Sequence, residues 1–203
     1  MPSAPKPNGG PRHGARGRAR REEILRGAME VIAERGFRGS SLAAVAEKAG
    51  LTQQGLLHYF PTKDELLVAV LRQRDEWDTG GRPEAVEDEW TMLNLEAVVE
   101  ANAARPELIR TFSALLGESV TEDHPAREYF HDRYRRTRRG MESVLRREWG
   151  ERLPSGLTPA QAAPLLVAIM DGLQLQWLHE PEAVDLVDAY RNFVLLLDPE
   201  AAR

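Results

Sequence analysis

Cysteine is absent from the 203-residue chain, which removes disulfides, thiolate metal sites and a cysteine nucleophile together. It is also compatible with a reducing cytoplasm, the expected location. No apolar run is long enough to span a membrane, and the basic N-terminus lacks the apolar core of a secretion signal. No stretch sustains period-two alternation, so a sheet is not expected. Enzyme motifs are missing too: there is no HExxH, no GxSxG, no phosphate loop and no dinucleotide fingerprint. The five histidines, His13, His58, His124, His131 and His179, lack metal-ligand spacing. No catalytic residue, metal or cofactor is therefore assigned, and the chain does not read as an enzyme.

What is present is helical periodicity throughout, and the predicted fold class is all-α. The net charge of −5 divides unevenly: residues 1–78 hold 13 Lys and Arg against 10 Asp and Glu, and the remainder 14 against 22. A basic first part and an acidic second part suit a protein that meets a polyanion at one end. Residues 1–19 combine proline, glycine and arginine with almost nothing apolar and are expected to be a disordered basic tail. Lys6, Arg12, Arg16 and Arg18, continuing into Arg20 and Arg21, fit either an arm reaching DNA or a plain solubilising tail.

A first amphipathic helix is predicted over 21–35 from Ile24, Leu25, Ala28, Val31 and Ile32. Gly36 ends it, and Phe37 is assigned to the core beside it. Leu42, Val45, Ala46 and Ala49 then mark one stripe of a short helix capped by Ser40 or Ser41 and stopped by Gly50. Thr52 caps the next helix at once. On that helix Leu56, Tyr59 and Phe60 are placed inward, while Gln54, Leu57 and His58 point outward with Gln53 and Gly55 flanking. A small residue at the crossing, a glycine in the turn and an apolar wedge fit a helix-turn-helix, and an outward glutamine can pair with adenine. Phe60-Pro61 breaks the chain, and Thr62 with Glu65 forms a capping box opening a longer helix to about residue 78.

These residues resemble the DNA-binding domain of the TetR family of transcriptional repressors. The resemblance is carried by Ala46, Gly50, Leu51, Thr52, Leu56, Tyr59, Phe60, Pro61, Lys63 and Leu66, preceded by Ala28 and Gly36-Phe37, and spans about residues 20–75. It implies that the helix at 52–59 is the recognition helix and that Tyr59 and Lys63 contact phosphates. Gln53, Gln54, Leu57 and His58 are assigned to base edges, and Ser41 and Thr52 join Tyr59 and Lys63 on the backbone. Many members carry a tyrosine at Leu57, a hydroxyl residue at Gly55 and a small residue at Gln54, so the operator sequence does not carry over.

The expected domains are the tail 1–19, the three-helix DNA-binding domain 20–66 and a helical ligand-binding and dimerisation domain 67–203, joined by the helix at about 62–78. Beyond it, helices are predicted at about 85–104, 106–120, 125–150, 159–179 and 182–197, punctuated by proline and glycine. The helix at 159–179 has two apolar sides. One carries Leu165, Leu166, Ile169, Met170, Leu173 and Trp177, and the other Val167, Asp171, Gln174, Leu175 and Leu178. The last helix pairs a stripe of Leu186, Tyr190, Phe193 and Leu197 with Val187, Val194 and Leu195. Two such helices per chain suit a homodimer interface over about 159–197, which the resemblance also implies.

A small-molecule inducer of unknown identity is placed among Trp90, Asn94, Phe112, Tyr134, Met141, Met170, Gln174 and Trp177, a set whose aromatic and methionine members also describe an ordinary core. The arginine-rich stretch from Tyr134 to Arg152 is assigned to a solvated helix face. The predicted function is a ligand-responsive regulator, a repressor that binds a palindromic DNA operator as a homodimer and is released by the inducer. Two alternatives stay open: a ligand-free or partner-controlled DNA-binding protein whose second domain only dimerises, and an all-α enzyme or ligand carrier.

Overall fold

The structure, a computed structural model, describes the backbone of residues 12–78 and 91–198 and the side chains of 16–76 and 91–198. Among these residues there is no strand, and the chain is all-α. It forms two compact units, Met1–Val70 and Leu71–Arg203, so the division falls a turn later than the 66/67 boundary expected.

In the first unit, α1 runs Arg12–Gly39. It begins inside the stretch expected to be a disordered tail. Arginine, a good helix former, makes up five of residues 12–21, so a polar segment can still extend the helix that the buried stripe from Ile24 anchors. Gly36 breaks the helix, as anticipated, at φ 67° and ψ 171°. The second helix, α2 (Leu42–Lys48), is capped by Ser41, whose hydroxyl accepts the Ala44 N–H at 3.1 Å. It closes at Gly50, φ 63°, where Leu51 N–H bonds Ala46 O at 2.8 Å and Gly50 N–H bonds Glu47 O at 3.0 Å. That pair of bonds is a Schellman closure. The third helix, α3, is only Gln53–Leu57, with Thr52 accepting the Gly55 N–H at 3.1 Å.

The core beneath these helices is Ile24, Leu25, Ala28, Val31, Ile32, Phe37, Val45, Ala46, Leu56 and Phe60, with Leu66, Leu67 and Val70 from α4 (Lys63–Asp78). The sequence placed Tyr59 inward with Phe60. In the structure Tyr59 is exposed and Phe60 buried, because α3 ends at Leu57 and helical projection no longer applies after it. Polar bonds tie the helices together as well. Arg20 donates to Ala49 O at 2.7 Å, Arg21 stacks over the Phe60 ring at 5.0 Å, and Lys48 pairs with Glu30 at 2.6 Å. Arg20 and Arg21, offered above as part of an arm, are thus engaged within the unit itself.

The second unit contains the end of α4 and α5 (Met92–Ala103), α6 (Pro106–Glu118), α7 (Arg127–Trp149), α8 (Pro159–His179) and α9 (Leu186–Leu197). The α7 and α8 helices pack along each other, as do α5 and α9. Their shared core joins Leu95, Val99, Val144, Leu145, Leu166 and the expected α9 stripe of Leu186, Tyr190, Phe193 and Leu197. Arg191 pairs with Glu96 at 2.6 Å across α9 and α5. On α8 the split between the two apolar sides differs from expectation: Val167 and Gln174 are buried, while Leu165 and Leu175 are exposed. A helix apolar all round gives no internal signal of which side its own core will take.

Phe37 is 7% exposed and lies 4.3 Å under the Lys63 ammonium, so its ring contributes both packing and a cation–π contact. Phe37→Ala is expected to cost about 3–5 kcal/mol, read as a lower denaturation midpoint of the full chain. An unchanged midpoint would show that the ring does not support the three-helix core.

Candidate nucleic-acid interface and ligand-binding region

The α2–α3 connection presents a contiguous exposed surface. Thr52, Gln53, Gln54, Leu57, His58 and Tyr59 are all exposed, and Ser41 is exposed at the start of α2. The burial of Leu56 and Phe60 fixes this face by holding the opposite side of a helix too short to stand alone. Gln53 and Gln54 offer amide donors and acceptors, and the exposed Leu57 is a methyl-contacting group, so the face carries base-reading chemistry. The Ser41 and Thr52 hydroxyls accept cap bonds from the backbone. Each still has its own O–H to donate, which is what a phosphate oxygen requires.

Lys63 is half-buried, with its Nζ 3.4 Å from Arg38 O and above the Phe37 ring. One long hydrogen bond leaves two of the three ammonium hydrogens for another acceptor. The sequence reading missed Arg38, which is exposed and has its carbonyl against Lys63. Its signal was its place in the last turn of α1, after the break at Gly36 and just before the Ser41 cap.

In the second unit the candidate ligand residues separate. Trp90 lies outside the described residues. Asn94 is exposed at the start of α5, where it forms a reciprocal capping box with Thr91. Met141 belongs to the shared core, with Tyr134, Met170 and Trp177 packed against it, and Gln174 is buried on α8. Phe112 is elsewhere, edge-on to Phe130 at 5.3 Å. Over it lie the guanidiniums of Arg74, at 4.0 Å, and Arg133, at 4.7 Å.

Beside Phe112 is a polar cluster that the sequence reading did not foresee. Asp75 accepts from the Tyr129 hydroxyl at 2.5 Å and from Arg133 Nε at 3.0 Å. The same hydroxyl lies 3.1 Å from Leu71 O, and Asp171 accepts from Tyr134 at 2.5 Å. Burial foremost, then the adjacent Asp75 charge, pushes the Tyr129 phenol far above its usual range. Burial and the bond to Asp171 do the same to Tyr134. Both phenols therefore remain donors throughout the physiological range. Burial is the largest influence on Arg133 and works against its charge, but Asp75, Tyr129 and Asp171 together overcome it and the pKa rises. His124 is buried and His131 exposed, and the described residues contain no group of metal-ligating side chains.

Comparison with known proteins agrees with this geometry. The family described as bacterial regulatory proteins, tetR family, matches residues 24–70. The C-terminal family of BetI-type transcriptional repressors matches residues 87–194. The HTH-type transcriptional regulator BetI of Burkholderia thailandensis is 32% identical over 163 residues, 77% of this chain and 80% of that protein. Among solved structures, a SmeT–triclosan complex superposes with a TM-score of 0.71 at 24% identity, covering 88% of this chain and 90% of that one. NalD, the secondary repressor of the MexAB-OprM multidrug efflux pump in Pseudomonas aeruginosa, gives 0.69 at 24% identity, covering 89% and 94%. The helix-turn-helix face and the helical unit that follows it are thus each matched by their own family, and the chain belongs to the TetR family of transcriptional regulators.

Proposed function

We propose that this regulator acts as a cytoplasmic homodimeric repressor that grips a palindromic operator and lets go when a small molecule occupies its second unit. The observation that carries the reading is the exposed face from Thr52 to Tyr59, flanked by Ser41 and Lys63. Gln53, Gln54, Leu57 and His58 read base edges in the major groove. Ser41, Thr52, Tyr59 and Lys63, joined by Arg38, hold the phosphates. Lys63 starts near its working position, which lowers the entropy lost on binding.

A recognition helix of one turn reads too few bases by itself, and a two-fold dimer doubles the contact. The exposed leucines support a dimer through α8 and α9: Leu165 and Leu175 on α8, with Leu195 and Leu196 on α9 at 41% and 74% exposure. Their exposure in one chain is what a self-complementary interface would cover. Release follows from linkage. A ligand that fits only a conformation unable to engage both half-sites lowers operator affinity by its differential binding energy, about 1–3 kcal/mol in typical cases. Small-molecule control is supported by the SmeT–triclosan complex among the structural neighbours.

Fluorescence anisotropy with a duplex from the gene's own upstream region, against a scrambled duplex at rising salt, tests the central reading. Retained preference for the upstream duplex supports it, and equal salt-sensitive binding to both counts against an operator there. Lys63→Ala is expected to weaken all sequences alike and reduce the salt slope by about one, whereas Gln54→Ala relaxes preference at one base pair. Equal effects of the two would refute this division of roles. Leu175→Glu combined with Leu196→Glu is expected to give monomers in sedimentation equilibrium and to abolish operator binding. A dimer that survives would place the interface elsewhere.

A further inference from the structure

The donors around Asp75 form a carboxylate cradle built almost entirely by one rigid helix. Tyr129, Arg133 and Arg136 lie on the same side of α7. The Tyr129 hydroxyl and Arg133 Nε bond the two carboxylate oxygens, and Arg136 Nη2 stands 3.9 Å from one of them. Arg74 Nη1 is 3.5 Å from the other. A phenol and a charged guanidinium converging on paired oxygens recognise a carboxylate by shape and charge together. The carboxylate that fills the cradle comes from α4, a different element from Tyr129, Arg133 and Arg136. Beside it Phe112 and Phe130, each 3% exposed, meet edge-on with the Phe112 ring under the Arg74 and Arg133 guanidiniums, and the Arg133 side chain is 18% exposed.

We infer that the inducer is a small carboxylic acid, which binds by replacing the Asp75 side chain on Tyr129 and Arg133. The inference rests on the reading of this chain as a ligand-responsive regulator and names the ligand class. An incoming carboxylate satisfies the same donors that Asp75 now satisfies, so α7 loses nothing in the exchange. What is lost is the attachment of α4 to α7 through Asp75, and α4 is the helix that also carries Lys63. A cationic ligand fits poorly because Arg74, Arg133 and Arg136 already surround the Asp75 carboxylate it would seek.

Calorimetric titration of the full chain without DNA tests this, using phenylacetate and octanoate beside their neutral isosteres phenylacetamide and octanamide. The acids are expected to bind at least about tenfold more tightly than the amides, and Arg133→Gln to weaken the acids by a similar factor. Asp75→Asn keeps the shape but removes the competing charge, so it is expected to tighten acid binding about threefold or more. That gain also serves if Arg133→Gln does not fold, since a merely structural role for Asp75 would not produce it. Amides that bind as well as acids, acids that give no heat at millimolar concentration, or an Asp75→Asn variant with weaker acid binding would each overturn the inference. Acid binding by a protein that ignores every duplex would leave this assignment standing and remove the operator reading instead. Duplex binding with no response to either acid would do the reverse.

Discussion

A helix of five residues has no stability of its own, because nucleation fixes several residues before propagation returns anything. The α3 helix, Gln53–Leu57, therefore exists only through its neighbours, and the rest of the first unit can be understood as the means of holding it. Leu56 plants it in the core, Thr52 caps its start, and the closure at Gly50 sets its direction. Arg20 secures the end of α2 from the far side by bonding Ala49 O. A helix held on its inner contacts can leave its outer side chains free of structural duty, and that separation is what the role proposed for Gln53, Gln54, Leu57 and His58 requires.

The electrostatics follow the same division. The first 78 residues carry a positive balance, yet several of those charges are engaged internally. Arg20 holds a helix end, Arg21 covers Phe60, and Lys48 answers Glu30. The charge left for a polyanion is thus smaller than the composition suggests, carried by exposed arginines such as Arg26, Arg35 and Arg38 beside the half-buried Lys63. In the second unit most charges are exposed, but Asp75 and Arg133 join Tyr129 in a partly buried network, a kind that neutral packing often replaces without loss of stability. Its retention makes more sense as a switchable contact than as a source of strength.

Much of this was legible in the sequence, and the limits have physical causes. Short-range chemistry announced the caps at Ser41, Thr52 and Thr62, the breaks at Gly36 and Gly50, and the buried stripes of α1 and α9. Tail composition misled over residues 12–19, because polar residues that cannot form a core can still form a helix that continues one. Tyr59 was misplaced because angular projection assumes a helix that had already ended. The inward and outward sides of α8 could not be told apart when both were apolar. The Asp75 cluster was beyond reach for a different reason: Asp75 and Tyr129 are far apart in the chain, and nothing local to either signals the other. Arg133 in particular stands next to an arginine run whose other members are mostly solvated, so its partly buried position has no mark in the pattern.

Gly50 has a further meaning. Its φ is 63°, yet nothing lies within 4 Å of where a Cβ would stand. The site has room for a side chain; what it refuses is an L-configured one, for which the left-handed backbone is strained. The turn selects handedness and is indifferent to size. A D-alanine introduced there by chemical synthesis would meet no clash and no strain, and would restrict the unfolded chain more than glycine does. The turn that aims the recognition helix would then be firmer than the natural one, by a route that ribosomal synthesis with L-amino acids cannot take.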